Sequence, residues 1–195
     1  MAANSEQERT VLRLWLLFRR VGDSLGLAQD LVCGKYGLTS QQFAVLVCIK
    51  SRGPLKQADL ARMLQRSRNS MTFILDRMIK AGLVRRKRNR KDRRAVSVTM
   101  TDKGNDAIEM AAPAGWEFIH EVVSPLSYQD QRALADMLET VNCVLIGRVN
   151  PETDMADIIK KSLTADPDLY KRMVKNVLPP AYQPKCKVAE TKTIR

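Results

Sequence analysis

The residues best suited to contact a polyanion are concentrated in one quarter of the chain. Positions 56–104 contain 15 lysines and arginines and four acidic residues, and they hold +11 of the net charge of +12 carried by all 195 residues. The densest part is RRKRNRKDRR at 85–94, with eight basic residues and one aspartate. Such a tract can neutralise the phosphates of a nucleic acid, and it can equally be a solvated loop or a targeting tract. Its neighbours in the sequence decide between these functions.

Other chemistry has little support in the residue types. Cys33, Cys48, Cys143 and Cys186 lie far apart and form no CxxC pair, and the chain has one histidine, His120. We therefore expect neither a zinc site nor a disulfide framework, and no cofactor. The chain has no GxxxxGKS/T or GxSxG motif, and nothing in the sequence places the cysteines, the histidine and the carboxylates together. An enzyme is accordingly disfavoured.

The chain shows no segment that predicts membrane insertion or secretion. Its longest apolar runs, LWLLF and AVLVCI, are far shorter than the ~20 residues that span a bilayer. The first residues, MAANSEQER, carry two glutamates ahead of the first arginine and lack the apolar core of a secretory signal. We expect a cytoplasmic protein without a membrane partner.

Hydrophobic periodicity predicts a helix-turn-helix ahead of the basic tract. A long first helix over about 6–36 is followed by a second, which opens at a capping box of Thr39 and Gln42 and ends near 52–54. A short third helix covers about 56–64, and Ser67 caps a fourth helix that ends at Gly82. Because only a few residues separate the third and fourth helices, the pair is read as a helix-turn-helix.

The period then changes from helical to strand-like. The segments LVRRKR at 83–88 and AVSVTM at 95–100 flank NRKDRR, in which Asn89 and Asp92 favour a turn. In the second segment Val96, Val98 and Met100 alternate with polar residues, as they do in a half-buried strand. We predict a β-hairpin that forms a wing, with the basic tract at its tip.

Two further helices follow the predicted wing and imply a dimer. One runs from Thr101 to about 123 with a bend at Pro113, and the other runs from a cap at Ser127 to about 147. Together with the first helix they carry more apolar surface than a compact winged-helix core can cover, whereas a second copy would cover it. The predicted fold class is mainly α with a small β-hairpin wing, a winged helix-turn-helix that forms a homodimer through its N- and C-terminal helices. Its segments are a dimerisation helix at 1–36, the winged helix at 37–104, dimerisation helices at 105–150, and an extension at 151–195 that is partly helical and then disordered.

The wing also carries the pattern of a known family. Asp92-Arg93-Arg94, followed by Met100-Thr101 and Gly104, resembles the D-x-R and L-T-x-x-G signature of the MarR family of bacterial transcription regulators. The segments LTSQQFAVL at 38–46, LKQADLARML at 55–64 and LDRMIKAGLVRRKR at 75–88 resemble the second to fourth helices and the first wing strand of that family. The resemblance covers about residues 10–147. It implies a homodimeric repressor or activator that binds double-stranded DNA at a pseudo-palindromic operator.

The resemblance assigns DNA contacts to the fourth helix, which is the recognition helix, and to the wing. On such a helix, arginine can fork onto guanine, asparagine onto adenine, and short hydroxyls can reach phosphates. Arg94 matches the wing arginine that enters the minor groove, and Asp92 orients it, caps its own loop, or does both. The expected DNA-contacting residues are Lys56, Gln57, Ser67, Arg68, Asn69, Ser70, Thr72, Phe73, Arg77, Arg90, Asp92, Arg93 and Arg94.

Two of these positions depart from the family pattern. Phe73 stands where relatives often carry a polar or basic contact, so it either touches a thymine methyl or packs internally. Lys56 replaces the usual Ser or Thr cap of the third helix, a change that costs about 1 kcal/mol of helix stability. A phosphate contact by Lys56 could offset that loss.

The resemblance further implies a small aromatic or phenolic effector that binds between the dimerisation region and the DNA-binding lobe. The candidate lining residues are Trp15, Phe18, Arg19, Phe43 and Val47, and the alternative is that these side chains are ordinary core residues. Some relatives sense oxidants through a thiol. Cys33 is either such a thiol or a small buried hydrophobe.

Three functions follow from these patterns. The leading one is a sequence-specific regulator, a repressor that a small ligand releases from DNA by favouring a different angle between its lobes. The second is an architectural or protein-interaction module, because attraction to phosphate carries no sequence information. The third, an enzyme, has no assembled catalytic group to support it. Competition separates the first two, since a specific regulator prefers its site over random DNA by ~10³-fold or more.

Overall fold

The computed structural model describes residues 2–88 and 96–149. Helices dominate its fold. Three short strands form one sheet within these ranges. The predicted winged helix-turn-helix is confirmed, whereas the predicted extension at 151–195 lies outside the described residues. In chain order the elements are α1 (Ala2–Gly34), α2 (Ser40–Arg52), β1 (Leu55–Lys56), α3 (Gln57–Met63), α4 (Arg68–Lys80), β2 (Val84–Arg88), β3 (Val96–Met100), α5 (Asp102–Val123) and α6 (Tyr128–Val149).

The junction between α1 and α2 is held by backbone and side-chain caps. Gly37 adopts a positive φ of 70°, which lets the chain reverse after α1. The Thr39 hydroxyl accepts a hydrogen bond from the Gln42 amide, and the Gln42 side chain accepts one from the Thr39 amide, so the predicted capping box is present. The Asp30 carboxylate on α1 also accepts the Ser40 amide at 2.8 Å, and this bond lowers the pKa of Asp30. The start of α2 is therefore tied to the end of α1.

The core lies where α2, α3 and α4 meet the sheet and the first half of α5. Its fully buried side chains include Leu46, Leu60, Met71, Leu75 and Ile108. Gly53, with a φ of 80°, ends α2 and turns the chain toward the sheet. These contacts fix α4 on the surface of the core with one face inward.

The sheet has the order β1-β3-β2, and both of its pairings are antiparallel. In the wing, Val84 pairs with Met100 and Arg88 with Val96, so the predicted hairpin is confirmed. The alternation of β3 holds only near the core, because Val98 is buried whereas Val96 at the outer end is exposed.

The sequence did not indicate strand β1, to which Lys56 belongs. The third helix predicted over about 56–64 is present as α3, and Lys56 just before it also pairs with Ser97 in β1. A two-residue strand is too short to show an alternating pattern, which explains why the sequence did not predict β1. Lys56 is the N-cap of α3 and makes no side-chain cap hydrogen bond, as its substitution for Ser or Thr implied.

Helices α1, α5 and α6 leave long apolar faces exposed. Leu31 on α1 is 74% exposed and Met137 on α6 is 64% exposed, far beyond what a buried helix shows. Scattered apolar side chains on a surface are common, but contiguous faces of this length mark interaction sites. No helix in residues 2–88 and 96–149 contains an apolar stretch that could cross a membrane. Other exposed apolar residues of these helices are Val11, Leu12, Leu14, Leu16, Val21, Leu27, Met110, Leu134, Leu138, Val144, Leu145 and Val149.

Candidate nucleic-acid interface

The recognition helix α4 has one face anchored in the core and the opposite face exposed. Met71, Leu75 and Met78 are fully buried, which fixes the rotation of the helix about its axis. Phe73 points the other way and is 71% exposed, so it does not pack in the core of its own chain. The exposed stripe comprises Asn69, Phe73, Asp76, Arg77 and Lys80, whose spacings of three and four residues place them on one face.

The turn before α4 presents two arginines beside the first turn of the helix. Gln65 has a φ of 50°, an uncommon backbone conformation for a residue other than glycine, and it redirects the chain between α3 and α4. The Ser67 hydroxyl accepts a hydrogen bond from the Ser70 amide at 3.1 Å, which confirms the predicted cap. Arg66 and Arg68 are exposed on either side of this cap. The N-terminus of a helix favours anions, so the turn and the cap together suit a phosphate.

Two of the predicted contact residues hold the helix-turn-helix together. The Gln57 amide donates a hydrogen bond to the Thr72 hydroxyl at 2.7 Å. The Thr72 hydroxyl in turn donates to the Arg68 carbonyl at 2.9 Å. Both side chains are half-buried, and their contact positions α4 against α3.

The wing is tied to the recognition helix by an ion pair that sequence reasoning missed. Arg86 on β2 contacts Asp76 on α4 at 2.8 Å, and both side chains are about half exposed. An exposed pair of this kind contributes little to stability, about 0–1 kcal/mol. Its geometric effect is to fix the direction of the wing relative to α4.

Thr101 and Gly104, which carry the L-T-x-x-G part of the signature, join the wing to the end of α4. The Thr101 hydroxyl lies 2.6 Å from the Gly82 carbonyl, to which it donates, and it accepts the Gly104 amide at 3.1 Å as the cap of α5. A Cβ on Gly104 would lie 2.1 Å from the Leu83 carbonyl oxygen, a separation that real structures do not show. Lys103 also donates to the Ala81 carbonyl at 2.9 Å. The motif therefore has a structural role, since it joins the wing and α5 to the end of α4.

A polar network connects the core to α5. Lys50 on α2 donates to Asn105 and, at 2.9 Å, to Glu109, and the Asn105 amide also donates to Glu109 at 2.9 Å. The hydrogen bonds from Lys50 and Asn105 and the charge of Lys50 lower the pKa of Glu109. The sequence carried no signal for this network, because Lys50 lies 55 residues before Asn105 and 59 residues before Glu109.

The predicted effector residues fall into two groups. Val47 is buried in the core, and the Phe43 ring lies against Gly115, where a Cβ would be 2.8 Å from the ring. Trp15 and Phe18 are exposed on α1, at 58% and 41%. Arg19, on the same helix, lies 3.9 Å from Asp23. Within one chain, Val47 is therefore buried in the core and Phe43 packs against it, whereas Trp15 and Phe18 remain exposed to solvent.

The buried thiols are protonated at neutral pH. Burial raises the pKa of Cys33, and the charge of Asp30 raises it further. Burial raises the pKa of Cys48 to about 11, although Arg52 opposes the shift. Of the two readings of Cys33, the small buried hydrophobe fits this environment. Within the described residues no group of three or more His, Cys, Asp and Glu side chains could hold a metal ion.

Not all of the predicted contacts can be located. Arg90, Asp92, Arg93 and Arg94 lie outside the described residues. Lys80 was not among the predicted contacts, although its helical spacing from Phe73 and Arg77 was a signal for it. Arg66 was missed because it precedes the helix and belongs to no periodic pattern.

Comparison with known proteins supports the same identification. The sequence model of the MarR family matches residues 38–96. The HTH-type transcriptional regulator YkoM of Bacillus subtilis is 27% identical over 139 residues, which are 71% of this chain and 90% of that protein. The transcriptional repressor MdtR of the same organism is 33% identical over 98 residues, 50% of this chain and 61% of that protein. A structure of reduced AbfR bound to DNA matches with a TM-score of 0.59 and 26% identity, over 73% of this chain and 99% of that one. Residues 38–96 thus match the model of the MarR family, and the chain is similar over about 70% of its length to DNA-binding transcriptional regulators.

Proposed function

We propose that the chain acts as a homodimeric repressor that binds a pseudo-palindromic site in double-stranded DNA and is released by a small ligand. The observation that carries the proposal is the exposed face of α4. A helix whose far side is fully buried presents Asn69, Phe73, Arg77 and Lys80 outward, beside a cap flanked by Arg66 and Arg68. This arrangement suits insertion into a major groove.

Within this interface we assign each residue to the bases, to the phosphates, to the minor groove or to positioning the helix. Arg68 and Asn69 face base edges, where a guanidinium can fork onto guanine and an amide onto adenine. Phe73 contacts a thymine methyl, since it is exposed and apolar. Arg66, Arg77 and Lys80, with Lys56 at the start of α3 and Ser67 and Ser70 at the cap, contact phosphates. Gln57 and Thr72 position the helix, and Arg90, Arg93 and Arg94, oriented by Asp92, extend the contact into the minor groove.

The dimer is supported by the apolar faces of α1, α5 and α6. Segments 1–36 and 105–150 would serve as the dimerisation region and 37–104 as the DNA-binding domain. Two copies of α4 would then meet successive major grooves, about one helical turn apart. This spacing requires that the long helices set the distance between the two lobes.

Release by a ligand follows from the same requirement. A small aromatic or phenolic molecule that favours another angle between the lobes lowers DNA affinity by its differential affinity for the two arrangements. The candidate lining is Phe43 and Val47 from α2 with Trp15, Phe18 and Arg19 from α1, which the second copy would complete. Repression needs no contact with polymerase, since a dimer seated on a promoter excludes it. The similarity to the repressor MdtR supports this sign of regulation.

Selection of bound fragments from the source genome, followed by titration, tests the proposal. The full chain should recover a pseudo-palindrome and prefer it over random duplex by about 10³-fold or more. Log affinity should fall against log salt with a slope near about −0.9 per phosphate contact, and so steeply for several contacts per subunit. A chain that binds every duplex equally would instead be the architectural module, and a chain that binds none would contradict the proposal.

A further inference from the structure

A groove of about 620 Å³ lies between the turn of the helix-turn-helix and the last turns of α6. Its floor is apolar, because Ala61 on α3 and Ile146 on α6 are only 4% and 5% exposed. Ile146 is buried even though the neighbouring Leu145 and Val149 are exposed. The groove thus lies between the end of α6 and the start of the recognition helix. Its lining residues are Ala58, Ala61, Arg62, Gln65, Arg66, Ser67, Arg68, Asn142, Leu145, Ile146 and Val149.

The rim of this groove is strongly basic. Arg62, Arg66 and Arg68 line it, and Arg62 is paired with Asp59 at 3.0 Å. In the part of the chain that the structure describes, no carboxylate lies within 4.0 Å of the Arg66 or Arg68 guanidinium. Guanidinium groups above an apolar floor favour an occupant that carries carboxylates on one side and apolar groups on the other.

The chain itself supplies such an occupant at the mouth of the groove. Val149 lines the groove, and the sequence continues directly as NPETDMADII at 150–159. These ten residues contain three acids and no basic residue, and they also contain Met155, Ile158 and Ile159 at helical spacing. Six residues reach up to about 20 Å, so the segment can cover the groove without a linker.

We propose that residues 151–159 bind in the groove of their own chain. The carboxylates of Glu152, Asp154 and Asp157 pair with the arginines of the rim, and Met155 and Ile158 cover the apolar floor. The direct connection gives the segment an effective concentration in the millimolar range, so a weak contact suffices.

This contact competes with DNA. Arg66 and Arg68 flank the first turn of α4, and carboxylates placed on them neutralise charge that would otherwise meet phosphates. The segment therefore lowers the DNA affinity of the full chain. This consequence rests on the proposed DNA-binding function, whereas the docking itself does not.

Two variants with the same change in charge test the consequence. One carries Glu152→Gln, Asp154→Asn and Asp157→Asn, and the control carries Asp166→Asn, Asp168→Asn and Glu190→Gln farther along the same extension. Each is titrated as the full chain against a labelled random-sequence duplex by fluorescence anisotropy, at about 0.15 M salt where the Debye length is about 8 Å. We expect the first variant to bind about fivefold or more tightly than wild type and the control to change by less than about twofold. An equal gain in both variants would overturn the proposal, since it would show general electrostatics without docking.

Photo-crosslinking locates the segment without DNA. Met155 in the full chain is replaced by p-benzoylphenylalanine, with Leu169 replaced in a control, and the products are mapped by mass spectrometry. The proposal expects intrachain crosslinks from position 155 to residues 58–68 or 142–149, and their loss in the variant that lacks the three proximal acids. Crosslinks to other surfaces, crosslinks only between two copies, or crosslinks insensitive to that variant would overturn it. If no variant binds any duplex, the proposed function fails while the crosslink map still decides the docking.

Discussion

The winged-helix core and the long helices differ in how completely one chain buries them. In the core, Leu46, Leu60 and Met71 are inaccessible, and hydrogen bonds link α3 to α4 and the cap of α5 to the turn after α4. On α1 and α6, Leu31 and Met137 are mostly exposed. One chain thus completes the winged-helix core but leaves apolar faces of the long helices exposed, which the proposed dimer would cover. The two units should respond differently to substitution.

The largest difference is expected from charges placed on α6. Leu134 and Leu138 are 42% and 45% exposed in one chain, and the double variant Leu134→Asp, Leu138→Asp would put four carboxylates into the proposed symmetric dimer. Each buried leucine contributes about 1.5–3 kcal/mol, so the dimer dissociation constant should rise by at least about 100-fold. Sedimentation velocity measures the change, and Glu139→Gln on the same helix is the control. A variant that still sediments as a dimer would place the interface elsewhere.

A smaller effect is expected from substitution of glycines that lie in close contact with other residues of the same chain. Gly104→Ala forces a Cβ against the Leu83 carbonyl, a backbone group that cannot rotate away, and should cost about 3 kcal/mol of unfolding free energy. Gly115→Ala meets the Phe43 ring, which can shift, and should cost less. Gly22→Ala on α1 has nothing within 4 Å in one chain and should stabilise the helix by about 1 kcal/mol. Denaturant titration measures the three changes in unfolding free energy. A loss of stability in Gly22→Ala would indicate that this glycine packs against a second copy of the chain.

Substitution of Phe73 tests whether the exposed face of α4 contributes to DNA binding and not to the stability of the fold. Phe73→Ala should leave the free energy of unfolding within about 0.5 kcal/mol of wild type, because the side chain is 71% exposed. The affinity for the selected operator should fall by about fivefold, equivalent to about 1 kcal/mol. Phe43→Leu is a milder change at a ring packed against the core and should still cost about 1 kcal/mol of stability. If Phe73→Ala lowered the free energy of unfolding as much as Phe43→Leu does, the exposed face of α4 would contribute to stability and its assignment to DNA binding would be contradicted.

Local patterns predicted the parts of the fold that local forces decide. The capping box at Thr39, the cap at Ser67 and the buried stripe of α4 are set by residues three or four apart, so the sequence carries them directly. Strand β1 has no such pattern, because only its pairing with Val98 and Ser97 defines it. The approach of Gly104 to Leu83 likewise joins positions 21 residues apart.

The candidate DNA-binding site likewise contains residues that local spacing predicts and residues that only the tertiary structure places. The exposed stripe of α4 follows from helical spacing, and this spacing would also have included Lys80. The position of Arg66 and the pairing of Asp76 with Arg86 depend on the turn at Gln65 and on the direction of the wing. The use of Gln57 and Thr72 as a mutual contact could not be foreseen, since their residue types suit DNA equally well.

The smallest expected effect concerns the joint between the two regions, at Lys50, Asn105 and Glu109. The pKa of Glu109 is lowered in the folded chain, so its contribution to stability is present above the unfolded value of about 4.3 and is lost as pH falls through the folded value. Glu109→Gln should therefore reduce the loss of stability on acidification below about pH 5. Lys50→Met should reduce it to a similar extent, since it removes the cation that donates a hydrogen bond to the carboxylate, and the double variant should add little. Denaturant titrations at a series of pH values measure this. Additive effects of the two substitutions would mean that Lys50 and Glu109 act separately, and that α5 is held on the core by packing alone.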